Sequence, residues 1–321
     1  MTRLLSSNLT RAFKSKLLWM VAAAAIVFSA MKTGEMLKFY SPAEPEKCME
    51  CVFNSVPIVS VLIPAFSGLF LGNDYQCGTL RTKILTGSSR EAIYTANFFT
   101  VFVCGLIFLC ASALPTAAAL LLFVDSPAAA IQIFLPGFIA AIMITASLSA
   151  IFTLMGMLIS SKTMGAVVAI LLAFGMLIAG SFVYSKLCEP ETVSDMILDV
   201  NGKVVEAVPH VNKFYIGGWL RIVFQAVLLI LPTGQGILLA NSEMSHYLIC
   251  CVVSLSVTVI TNLFGIMFFL EKTFDKMRRM PEPTFDKMGR MPEQTFDKMR
   301  RIPEQNFDKM RRIPDKNENI S

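Results

Sequence analysis

Six apolar stretches alternate with polar segments along this chain, at 17–31, 52–71, 97–124, 131–159, 163–184 and 247–270. A helix needs about 20 mostly apolar residues to cross the hydrocarbon core of a bilayer. The first stretch is short at 15 residues, with Lys16 and Lys32 placed to snorkel from its ends. None of the six contains Asp, Glu, Lys or Arg. The pattern predicts an all-α integral membrane protein with six transmembrane helices. Ion-coupled pumps and voltage sensors carry ionisable residues within the membrane. A chain without them either conducts passively or is driven from outside the bilayer.

The segments between the stretches differ in kind. Residues 1–16 place Leu4, Leu5, Leu9 and Phe13 at helical spacing among basic residues. They read either as an amphipathic lead-in lying along the membrane face or as the soluble start of the first span. Loop 32–51 is polar and contains Pro42 and Pro45. The connections 125–130 and 160–162 are very short, so the third and fourth spans, and the fourth and fifth, are antiparallel neighbours. In loop 185–246 an ordinary polar stretch, 185–212, precedes an apolar run, 214–231, interrupted by Gly217, Gly218 and Arg221. Its uninterrupted part, 222–231, is too short to span. It predicts a re-entrant or interfacial outer segment before the last span, with Pro232-Thr233-Gly234-Gln235-Gly236 as its turn. Two half-helices making further crossings are the alternative.

From Thr273 an 11-residue repeat runs through four copies: TFDKMRRMPEP, TFDKMGRMPEQ, TFDKMRRIPEQ and NFDKMRRIPDK. The repetition speaks for copying, not for a particular function. One Pro per copy blocks a continuous helix. The segment reads as a largely disordered basic tail, or as short basic amphipathic turns that touch anionic lipid. The chain thus divides into the lead-in 1–16, the six-span region 17–270 and the tail 271–321.

Composition agrees with a polytopic membrane protein: 55% of the 321 residues are hydrophobic and 16% charged. The first apolar stretch lacks a small-residue cleavage site and reads as a retained span, not as a signal peptide. With both termini in the cytoplasm, 21 of the 28 basic residues lie inside and 7 outside. Without the tail the contrast shrinks to 8 against 7, but the inner residues sit close to span ends, where the positive-inside rule acts. The net charge of +5 therefore points to a membrane surface and not to nucleic acid.

Of the eight cysteines, Cys104, Cys110, Cys250 and Cys251 fall in spans and read as small apolar packing residues, while Cys77 falls inside. Cys48, Cys51 and Cys188 face outward. Cys48 and Cys51 form a C-x-x-C pair, readable as unpaired thiols, an outer disulfide or half a zinc site. The last needs two more ligands, and His210 and His246 are the only histidines. No residue set calls for a metal or a cofactor, and no Ser-His-Asp or Cys-His set assembles, so no chemical active site is expected.

Two features mark the spans themselves. Gly165, Ala169 and Ala173, then Gly175 and Ala179, recur at four-residue steps in the fifth, a spacing that lets helices approach closely. Pro57, Pro64 and Pro115 would kink the second and third.

The most specific segment joins the second span to the third. Gly78 and Gly87 bracket Thr79-Leu80-Arg81-Thr82-Lys83-Ile84-Leu85-Thr86, a short basic amphipathic run. Ser88 followed by Glu91 has capping-box spacing and predicts a new helix leading into the third span. This spacing predicts a short surface helix, suited either to lipid or to a soluble partner. A span ending Phe-Ser-Gly-Leu-Phe-Leu-Gly-Asn-Asp-Tyr, then Gly-Thr-Leu-Arg, then Gly-Ser-Ser-Arg-Glu and Tyr94, resembles the permease subunits of ABC-2 type exporters. It is most similar to the bacterial branch linked to antibiotic-peptide and lantibiotic resistance. The likeness covers residues 1–270 and includes six spans with both termini inside. Pro232-Thr233-Gly234-Gln235 resembles that family's outer re-entrant segment. The repeat tail departs from the family pattern.

The resemblance implies that Gly78, Thr79, Leu80, Arg81, Lys83 and Gly87 belong to a coupling helix seated in a groove of an ATPase. No G-x-x-x-x-G-K-[ST] phosphate loop occurs in the chain, so the ATPase is expected on a separate polypeptide and this chain is not itself an enzyme. The expected protein is a permease in the bacterial plasma (inner) membrane. It pairs with itself or with a related second permease and moves an amphipathic or lipid-like substrate, such as an antimicrobial peptide. A non-transport membrane sensor or scaffold that recruits partners through the basic tail is the competing class. A passive channel fits less well, because no span offers ring-forming polar or charged residues.

Overall fold

A computed structural model describes residues 2–36, 38, 53, 56–123, 127–159, 161–198, 204–241 and 245–278. The chain divides into two compact units, Met1–Glu271 and Lys272–Ser321. In chain order the described elements are α1 (Thr2–Lys14), α2 (Lys16–Met36), α3 (Val56–Gln76), α4 (Thr79–Leu85), α5 (Arg90–Phe123), α6 (Pro127–Leu158), α7 (Lys162–Leu187), β1 (Thr192–Leu198), β2 (Val204–Val211), α8 (Gly218–Ile230), α9 (Pro232–Asn241) and α10 (Ser245–Arg278). Among them α2, α3, α5, α6, α7 and α10 are long and apolar enough to cross a membrane, and α8 and α9 form a pair bent by 100°. The chain is an all-α multi-pass membrane protein with one small hairpin.

The helices run longer than the apolar stretches. The first is not short: α2 continues to Met36 and carries Lys32 and Glu35, an exposed ion pair 3.1 Å apart, in its last turns. Ser15 caps it, with its Oγ accepting from the Leu18 N–H at 3.3 Å. Likewise α3 runs to Gln76 and so takes Asp74 into the helix. The charge-free stretches thus have charged ends.

Helix α3 is central and packs against α2, α5, α6, α7 and α9. Its Phe66 ring stacks on Phe70 at 5.2 Å and meets Phe108 of α5 edge-on at 5.5 Å. Gly68 and Gly72 bring α3 against the start of α7: a Cβ on either would lie 2.7 Å from the Cα of Ala166 or Lys162. On α7, Gly165, Ala169 and Ala173 are buried, whereas Gly175 and Ala179 are exposed and Gly175 has open space around it. The second small-residue set therefore does not pack within the subunit. Gly175 follows Ala173 by two residues, which places it about 200° further round the helix. Pro57 sits in the first turn of α3, where it needs no kink, while Pro64 and Pro115 lie inside α3 and α5.

The outer faces of α7 and α10 are apolar, with Leu171, Phe174 and Ile178, and Val252, Val259 and Leu263, all exposed. In water such faces would be a liability, but against lipid they are what a span requires. Residues 192–211, expected as ordinary polar loop, contain an antiparallel hairpin whose register pairs Thr192 with Val211 and Val193 with His210. Asn201-Gly202 between two runs that carry β-branched residues is the sequence signal for it.

Pro232-Thr233-Gly234-Gln235-Gly236 is not a turn. The bend lies at Leu231, which is extended (φ −78°, ψ 115°), and Pro232 opens α9 at the position where its missing N–H costs nothing. Neither α8 nor α9 is long enough to cross alone; the bent pair is either a re-entrant loop or one broken span. The C-x-x-C pair Cys48 and Cys51 and the repeats beyond Arg278 lie outside the described residues.

Candidate functional site

Helix α4 is held at both ends by backbone geometry. Gly78 (φ 67°) separates it from α3, and Gly87 (φ 83°) follows it. Side-chain-bearing residues are strained in that left-handed region, which accounts for glycine at both places. At the far end the Gly87 N–H bonds the Ile84 carbonyl at 3.1 Å and the Ser88 N–H bonds the Lys83 carbonyl at 3.2 Å, the two bonds of a Schellman motif. The next helix starts one residue later than expected. Ser89, not Ser88, caps α5, its Oγ accepting from the Ala92 N–H at 3.3 Å. The expected Ser88–Glu91 box is therefore not formed, because Glu91 falls one position short of N3.

One face of α4 turns inward. Leu80 is buried with Ile93 and Tyr94 of α5 and Met157 of α6, and Leu4 and Ile84 pack on this cluster. Thr79 Oγ1 donates to the Asp74 carbonyl at 3.1 Å. Lys83, read from the sequence as a coupling residue, also points inward, while Thr82, Thr86 and Gly87 are exposed. The Arg81 side chain lies outside the described residues, although its backbone is helical.

Lys83 enters a polar cluster that the sequence reading missed. Its centre is Asp74, 1% exposed, at the end of α3. Arg11 of α1 donates to Asp74 Oδ1, and Lys83 Nζ lies 3.3 Å from Oδ2. The same Nζ donates to Asn8 Oδ1 at 2.8 Å, Asn8 Nδ2 donates to Asn97 Oδ1 at 2.8 Å, and Asn97 Nδ2 reaches Met157 Sδ at 3.3 Å. An ammonium only donates, so Lys83 sets the direction of the whole relay. The Arg11 guanidinium also lies over the Phe70 ring, 4.4 Å from its centroid. Burial pulls the Lys83 pKa below the ordinary lysine value, Asp74 pushing it back up and Arg11 adding to the fall. The cluster ties α1, α3, α4, α5 and α6 together. Its sequence signal was faint: Asn8 and Arg11 lie three apart on α1, off the Leu5–Leu9–Phe13 line.

At the other end of α3, the Pro232-Thr233-Gly234-Gln235 segment is a packing junction. Thr233 Oγ1 donates to the Met176 carbonyl of α7 at 2.8 Å. Gly234 allows α9 to fold back on α8, since a Cβ there would lie 2.5 Å from the Leu228 carbonyl oxygen. Gln235 is fully buried, donates through Nε2 to the Leu229 carbonyl and accepts from Ser254 Oγ of α10. Nearby, Arg221 of α8 donates to the Leu187 carbonyl at the end of α7 at 3.1 Å. Among the described residues no group of His, Cys, Asp and Glu could hold a metal ion. No protein-family model matches this chain, and no curated protein matches it.

Proposed function

We propose that this chain is the membrane-spanning permease subunit of an ATP-driven ABC-2 type exporter of a bacterial plasma (inner) membrane. Both termini and α4 face the cytoplasm. It works as a homodimer or with a related second permease, and the energy comes from a separate ATPase. The observation that carries this reading is α4 itself. It lies between the second and third candidate spans and is fixed at both ends by left-handed glycines. Its inner face joins the ends of several spans, while Thr82 and Thr86 are free to meet a partner.

Such a helix is suited to deliver force because it is short and tied to several neighbouring helices. The six charge-poor spans suit an amphipathic or lipid-like substrate, such as an antimicrobial peptide, with energy entering through α4 and not through an ion within the membrane. Packed helices then switch between two arrangements. Thr82→Cys in a background without other cysteines should cross-link through a short bifunctional reagent to an ATPase expressed from the neighbouring reading frame. Absence of any cross-link from Thr82 and from Thr86→Cys would overturn the coupling role.

A further inference from the structure

We propose that Asp74 is a positioning residue that locks α1 to α4, so that these two surface helices move as one piece. That a push on α4 thereby reaches α1 rests on the exporter reading; the lock itself does not.

Helix α1 is a 13-residue helix hinged to α2 at Ser15, and side-chain contacts must set its direction. One buried carboxylate serves cations from two different helices, Arg11 of α1 and Lys83 of α4. They stand 63 and 9 positions away in sequence, so this is tertiary pairing and not a local helix contact. A carboxylate so buried needs a charged partner, and the direction of each helix supplies one. Lys83 doubles the tie by also holding Asn8 of α1. Asn8 in turn is bonded to Asn97, which anchors the locked pair to α5. Loss of Asp74 leaves the Lys83–Asn8 hydrogen bond and the apolar cluster around Leu80, on which Leu4 and Ile84 both pack, whereas loss of the Lys83 ammonium removes both polar ties.

The lock is read by spin labels at Ser7→Cys and Thr82→Cys, exposed positions on α1 and α4, in otherwise cysteine-free protein held in nanodiscs. The parent and Asp74→Glu should give one narrow Ser7–Thr82 distance, and Asp74→Asn, which keeps only the Lys83–Asn8 bond between the two helices, should broaden it. Where Asp74→Asn is not monodisperse, Lys83→Met is read instead. It leaves Asp74 paired with Arg11, so the buried charge stays neutralised, yet it removes both ties to α4 and should give the same broadening. A narrow peak in a well-behaved Asp74→Asn or Lys83→Met protein overturns the lock. Failure of the parent to bind an ATPase overturns the exporter reading and leaves the spin-label result standing.

Discussion

The Tyr94 hydroxyl occupies the space where a side chain at position 265 would begin: a Cβ built on Gly265 overlaps it. Tyr94 is fully buried beside Leu80 of α4, so this contact joins the α4 end of the molecule to α10. Gly265→Ala should push α10 from α5 and cost about 1–3 kcal/mol, the usual penalty for overpacking. Tyr94→Leu should recover part of that loss. Thermal unfolding of the two single variants and the double variant in detergent reads both effects.

Approach of α3 to α7 depends on Gly68 and Gly72, where backbone and not a flexible side chain stands in the way. Gly68→Ala and Gly72→Ala should each lower the unfolding temperature measurably. Gly175→Ala should be neutral or slightly stabilising, because open space surrounds it and alanine is the better helix former by about 1 kcal/mol. A Gly175→Ala protein as damaged as Gly72→Ala would mean that the exposed face of α7 is covered in the membrane.

Gln235 and Ser254 hold the bent pair of α8 and α9 to α10 through one buried hydrogen bond. A double-mutant cycle of Gln235→Leu and Ser254→Ala should return a coupling energy of about 0.6 kcal/mol, the average for such bonds between membrane helices, and at most about 1.7 kcal/mol. A value near zero would show that the two side chains do not hold each other.

Hydropathy made the spans and the bracketed helix legible, because both depend on neighbouring residues alone. A run of apolar residues declares a span, and Gly78 and Gly87 declare where the chain must turn. The buried cluster was not legible in this way. Asp74 lies past the end of its apolar stretch and reads as loop until Arg11 and Lys83 are brought to it. Lys83 looked like an outward coupling residue for the same reason. The 192–211 hairpin was missed despite its Asn201-Gly202 signal, and Pro232 was read as a turn although proline suits the first turn of a helix equally well.

The orientation has its own check in the native thiols. Cys77 and Cys188 are both exposed, one beside Gly78 before α4 and the other directly after α7. Proteins retaining only one of these cysteines, treated in intact cells with a membrane-impermeant maleimide, should label at Cys188 and not at Cys77. Labelling of Cys77 without permeabilisation would reverse the proposed topology.

The most direct measurement is purification of the affinity-tagged chain from its native membranes in mild detergent, followed by identification of co-purifying chains and assay of ATP hydrolysis. The expected result is a stoichiometric partner containing a phosphate-loop sequence, with ATPase activity. Thr82→Trp/Thr86→Trp should lose that partner while still inserting in the membrane. A stable complex with no nucleotide-binding chain, or one whose ATPase stays bound to the double tryptophan variant, would contradict a permease driven through α4.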